Sequence, residues 1–193
     1  MFVHLCLALL ALSSLSAASE PDCDEHIKPL EDQSKIYGKW IFQILASDNE
    51  QLLKEMKISN SSWSTIFSTP ESSDFSMTYA DRIDGKCVYG NASSTPSGNL
   101  TKVTFLFNST SYEHFGRYLE TCPDCVLWMD EAVSEANGEQ TKTKGLYLFT
   151  KTGKLDDSQL EVFKKQAECL NIKLDFYFPD TTELCPEVKT EEQ

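Results

Sequence analysis

Apolar and polar residues alternate in short bursts from Gly38 to about Lys151, and turn formers separate the bursts. This period-two pattern, rich in β-branched and aromatic residues, predicts strands over residues 39–46, 57–67, 75–83, 86–91, 102–107, 113–120, 126–131 and 145–151. The breaks carry Ser-Thr-Pro-Glu, Asp84-Gly85, Pro96-Ser97-Gly98 and Asn137-Gly138. Eight strands at near-regular spacing define a sandwich or a barrel. A short helix fits 48–56, on the first connection. After Gly153 the period becomes helical: Leu160, Phe163, Ala167 and Leu170 share one face, Lys164, Lys165 and Glu168 lie opposite, and Asp156 and Ser158 are available as caps. A Cys-bearing tail follows, and its acidic, Pro-containing end beyond about residue 186 is expected to be mobile.

The same alternation assigns faces. If Asn60 points to solvent, then Ser59, Ser61, Trp63, Thr65 and Phe67 point inward. Phe75, Met77, Tyr79 and Asp81 share one face of the next strand, against Ser76, Thr78 and Ala80. Leu146 and Leu148 alternate with Tyr147 and Phe149, so the last strand is apolar on both sides. A helix packed outside it would explain that.

Residues 5–15 are almost wholly apolar, and Ser16, Ala17 and Ala18 follow. This reads as a secretory signal over residues 1–18 ahead of a single domain over 19–193, with a retained membrane anchor as the alternative. Residues 1–18 hold no Asp, Glu, Lys or Arg, so the net charge of -13 stays with the mature chain and disfavours nucleic acid and anionic membranes. Cys6 leaves with the signal. The remaining Cys23, Cys87, Cys122, Cys125, Cys169 and Cys185 form an even set, read as three disulfides among fifteen possible pairings. Sequons at Asn60, Asn91, Asn99 and Asn108 predict N-glycosylation of a secreted protein.

Catalytic chemistry finds little to stand on. His26 and His114 are the histidines left after the signal, and neither belongs to a nucleophile–base arrangement. No Gly-rich phosphate loop is present. Asp130-Glu131 point to opposite faces of a strand, and Asp156-Asp157 sit at a helix start, both ordinary structural places. The reading is a binding protein with no catalytic residue, metal or cofactor, and His114 is expected to be a hydrogen-bonded wall residue.

Gly38-Lys39-Trp40, opening the first strand of an eight-strand-plus-helix chain, resembles the lipocalin signature. Together with Glu113-His114-Phe115, Gly145-Leu146, Ala167-Glu168-Cys169-Leu170 and Cys185-Pro186, it resembles the orosomucoid (α1-acid glycoprotein) branch of that family. Apolipoprotein M and the fish plasma lipocalins that bind saxitoxin, tetrodotoxin or tributyltin are similar, the latter also through Lys28-Pro29-Leu30 and Asn60-Ser61-Ser62-Trp63. The resemblance implies an all-β fold, an eight-stranded antiparallel up-and-down barrel with one C-terminal helix packed outside. It implies the pairs Cys23–Cys169 and Cys87–Cys185, which leaves Cys122 and Cys125 for a local structural disulfide or, in the alternative, for redox chemistry. It also implies a barrel floor of Gly38 and Trp40 with Lys151 over the indole.

Face assignment and resemblance together place Phe42, Ile44, Trp63, Met77, Tyr79, Tyr147 and Phe149 in a ligand cavity. The resemblance adds His114, and apolar pattern adds Phe105, although a register counted from Asn99 turns Phe105 outward. The expected function is a secreted, monomeric carrier or scavenger of a small hydrophobic or amphipathic ligand: a lipid, steroid, drug-like molecule, toxin or organotin. Aromatic walls and Asp81 would also suit a cation. The alternative is an immunomodulatory or interaction glycoprotein acting through its surface and glycans.

Overall fold

A computed structural model describes residues 23–187, apart from 71, 73, 108–109, 137–138 and 173–174. The expected signal over 1–18, the sequon at Asn108 and the expected mobile tail beyond Glu187 lie outside the described residues.

A helical turn α1 (Cys23–His26) and a 3-10 turn (Gln33–Ile36) lead into β1 (Gly38–Ser47). Gly38 makes the entry at φ 108°, a value L side chains rarely adopt. Helix α2 (Glu50–Met56) follows, with the Asn49 side chain accepting from the Gln51 and Leu52 amides at its start. Then come β2 (Ser59–Ser68), β3 (Phe75–Ile83), β4 (Lys86–Ser97), β5 (Leu100–Phe107), β6 (Thr110–Leu119), β7 (Cys125–Ala136) and β8 (Glu139–Thr150). Each strand pairs antiparallel with the next, and β1 pairs with both β8 and β2, which closes an eight-stranded up-and-down barrel.

Tight hairpins explain why several strands run longer than the sequence predicts. Asp84 and Gly85, at φ 47° and 75°, leave Ile83 paired with Lys86. Strand β4 continues to Ser97, and Pro96 is accommodated opposite Thr101 just before the turn. The expected end at Asn91 is therefore six residues short.

Helix α3 (Asp157–Cys169) begins in a capping box: Asp156 Oδ1 accepts from the Gln159 amide at 2.8 Å, and the Gln159 side chain accepts from the Asp156 amide at 3.0 Å. Its Phe163, Ala167 and Leu170 pack with Ile44, Leu127, Met129, Leu146 and Leu148 on the outside of the barrel, accounting for the two-sided burial of β8. A two-residue β9 (Phe176–Tyr177) that sequence did not signal pairs with Ala46 and Leu45 of β1, beyond the stretch that pairs with β2.

All three disulfides form as Cys23–Cys169, Cys87–Cys185 and Cys122–Cys125. The first ties the N-terminal segment to α3, where buried Gln166 donates to the carbonyls of His26 and Glu120. The second straps the C-terminal tail across β2 to β4. Along that strap Ser61 and Arg82 donate to Glu183 O, and Tyr89 Oη donates to Pro186 O.

A candidate ligand cavity inside the barrel

The lumen divides into two overlapping compartments. The deeper one, about 330 Å3, is lined by residues that include Trp40, Ile66, Val103, Tyr118, Val126 and Trp128. The outer one, about 340 Å3, adds Tyr79, Ile83, Val88 and Tyr112. They share Ser62, Ser64, Met77, Asp81, Phe105, His114 and Phe149. Leu52 and Met56 of α2 reach over the wall from the first connection.

The floor is a locked assembly. The indole of Trp40, 2% exposed, donates from Nε1 to Ile36 O at 2.6 Å. Lys151 Nζ stands 5.3 Å over the Trp40 ring and is held by the Asp124 carboxylate at 3.1 Å. Gly38, Trp40 and Lys151 thus meet at the closed end. The local Cys122–Cys125 bridge frames this corner, where Asp124 at φ 57° accepts from the Lys151 amide.

Phe42, Met77, Phe105, His114, Tyr147 and Phe149 line the deeper compartment, and Tyr79 lines the outer one. Phe42 and Phe149 sit ring to ring at 5.4 Å, and Tyr79 and His114 flank Phe105 at 5.5 and 5.2 Å. Phe105 faces inward because Asn99 lies in the β4–β5 turn, where strand alternation does not apply.

Two expected wall residues are elsewhere, each for the same reason. Strand β1 carries a bulge between Phe42 and Ile44, so Phe42 pairs with Phe149 inside while Ile44 pairs with Leu148 beneath α3. Strand β2 shifts register between Ser59 and Ser61. Asn60 remains exposed, but Ser62, Ser64 and Ile66 take the inner face. Trp63 is buried on the outside, donating from Nε1 to Cys185 O at 2.8 Å with Lys39 Nζ 4.9 Å from its ring. Ser61 joins it on that outer face, bonded to the strap, and Phe67 is exposed.

Charge inside the lumen is acidic. Asp81 lies across from Ser62, and burial pushes its carboxyl above the usual range, partly offset by the hydrogen bond from Ser62. Burial, and then the nearby Asp81 charge, push the Tyr79 phenol up. Tyr118 is raised by burial alone, and Tyr147 by burial and then by Asp130. Asp130, 5% exposed, is gripped by His114 Nδ1, 3.2 Å from both carboxylate oxygens, and by Trp128 Nε1 at 3.4 Å. No Lys or Arg lines either compartment among the described residues.

Alternation does not mark Tyr118 and Trp128 as lumen groups, nor Asp130 as the partner of His114. In residues 126–130 both faces are apolar apart from Asp130, so alternation gave no direction; the acidic side chain was the available signal.

No protein-family pattern matches the chain, and no curated protein matches it by sequence. Solved structures do match. The siderocalin Ex-FABP superposes with a TM-score of 0.61 at 15% identity, over 82% of this chain and 99% of its own. Aphrodisin, a sex pheromone from the female hamster, gives 0.60 at 17% identity, over 79% and 99%. A dog lipocalin allergen gives 0.59 at 18% identity, also over 79% and 99%. The protein has the lipocalin fold: a closed eight-stranded antiparallel up-and-down barrel with one C-terminal helix outside.

Proposed function

We propose that the protein is a secreted carrier or scavenger that reversibly buries a small hydrophobic or amphipathic ligand in the barrel, with no bond made or broken. The observation that carries this reading is the aromatic lumen itself, closed by Trp40 at one end and lined by Phe42, Met77, Tyr79, Phe105, Tyr147 and Phe149. Burial of apolar ligand surface against those rings supplies affinity. The polar groups midway along the wall supply orientation.

Those groups favour a cation-bearing amphiphile. Asp81 brings negative charge to a lumen lined by no lysine or arginine among the described residues, the lining residue His114 is bonded to the Asp130 carboxylate, and the surrounding rings present π faces. A ligand carboxylate would meet the same groups at a cost. Three disulfides support an extracellular setting, and the exposure of Asn60, Asn91 and Asn99 supports glycans there. The long-range pairs Cys23–Cys169 and Cys87–Cys185 support the orosomucoid-like branch within the fold.

The test is a fluorescence titration of the secreted protein with a lipophilic anion, a steroid, a sphingolipid, a tributyltin salt and a guanidinium toxin. Saturable quenching of Trp128 or Trp40 emission by a panel member, weakened by Tyr147→Ala, is the expected result. A flat response across the panel would contradict the carrier reading and favour action through the surface and glycans.

A further inference from the structure

Among the described residues the glycines fall into two kinds. Gly38, Gly85, Gly98 and Gly153 have positive φ and serve entries and turns. Gly90, Gly116 and Gly145 lie inside β4, β6 and β8 without that excuse, and glycine in a strand interior weakens it. Each of the three sits on the inner face beneath an aromatic ring of the lumen. Gly90 pairs across from Tyr79, and a Cβ there would overlap the ring's Cζ and Oη. A Cβ at Gly116 would come within 2.6 Å of Trp128 Cζ2 and collide with the backbone oxygen of Met129. One at Gly145 would lie 2.8 Å from Tyr147 Cε2, the ring two residues along the same strand.

We propose that Gly90, Gly116 and Gly145 are the specificity-determining residues of this lumen, three notches into which Tyr79, Trp128 and Tyr147 recess so that the cavity stays open. The proposal rests on the carrier reading. Its physical basis is volume: a large ring lying flat over a missing side chain lines the wall, whereas the same ring lifted by a methyl projects into the space a ligand needs. Tyr79 and Tyr147 meet the added methyl with their ring ends, which can swing towards the open lumen. At Gly116 the methyl would also meet the Met129 backbone oxygen, so movement of the Trp128 ring alone could not make room for it. The notches therefore define an upper limit on ligand girth, the Gly90 notch in the outer compartment and the Gly145 notch in the deeper one.

The experiment compares Gly90→Ala and Gly145→Ala with wild type, using 1-aminonaphthalene and 1-aminopyrene as narrow and broad probes. The ratio of affinities, broad over narrow, should fall on the order of tenfold in each variant. Adding Tyr79→Ala to Gly90→Ala should remove the effect. An unchanged ratio in folded variants would overturn the proposal, as would loss of folding in both, since the rings are free to yield. If wild type binds neither these probes nor any member of the ligand panel above, the carrier reading fails on its own. A crystal structure of Gly90→Ala then decides the glycine assignment: the Tyr79 ring displaced into the lumen upholds it, and an unmoved ring with β4 pushed outward refutes it.

Discussion

At the floor of the barrel Trp40, Ile66, Val103, Tyr118 and Val126 gather in one cluster, sealed by Ile36 and capped by Lys151. At the mouth Tyr79, Asp81, Ile83, Val88 and Tyr112 line a space of similar volume, with Tyr112 half exposed and Asp81 half-buried with the Ser62 hydroxyl for company. The same strands build both ends. What separates them is closure: β1 pairs with β2 only over Gly38–Ile41, then parts from it and accepts β9, while α2 bridges the gap above. Tyr177 Oη donates to Ser59 O across that seam. The closed end is positioned to hold the fold together. The open end holds a carboxylate inside its wall where the closed end packs apolar side chains, so one barrel has room for both a stability core and the proposed binding site.

Several substitutions would sharpen or break this contrast. Trp40→Ala at the floor should cost about 3–5 kcal/mol in urea unfolding, the usual loss for a buried large aromatic. Tyr112→Ala at the mouth should stay within about 0.5 kcal/mol. Equal losses would abolish the distinction. Replacing both members of Cys23–Cys169 with serine should cost about 2–5 kcal/mol, because that bridge spans 146 residues. The Cys122–Cys125 pair closes a separation of 3 and should cost clearly less in the same assay.

Asp81→Asn separates stability from binding. Burial raises the folded-state pKa of Asp81 above its ordinary 3.8, so the native chain holds this proton where the unfolded chain has lost it. Its contribution to stability is therefore greatest below that window and is lost as pH rises through it. The variant should gain on wild type as pH rises from below 3.8 through the raised native value, measured by chemical denaturation at each pH. Cation binding should move in the opposite sense, tightening in wild type over the same rise and not in the variant. Lys151→Met should lower stability by about 0.5–1 kcal/mol through the lost contact with Trp40.

The limits of reading this chain from sequence follow from its bulges. Strand β3 has no irregularity where it pairs with β4, and the shared face of Phe75, Met77, Tyr79 and Asp81 was legible from alternation. The inside–outside split of β8 was legible too, as was the face of α3, where period 3.6 runs undisturbed from Leu160 to Leu170. Trp63 and Ile44 went to the wrong side because each lies just past an extra residue, and one added residue inverts every face beyond it. The recessed rings over Gly90 and Gly116 depend on what the neighbouring strand presents, which no single segment records.

The most direct test of the account is calorimetric titration near pH 7 of three ligands with one apolar body, octylammonium, octanol and octanoate, against wild type and Asp81→Asn. The ammonium should bind most tightly to wild type and the carboxylate least, and Asp81→Asn should narrow the gap by about tenfold. Octanoate binding as tightly as octylammonium, with no response to the substitution, would contradict a lumen built to receive positive charge.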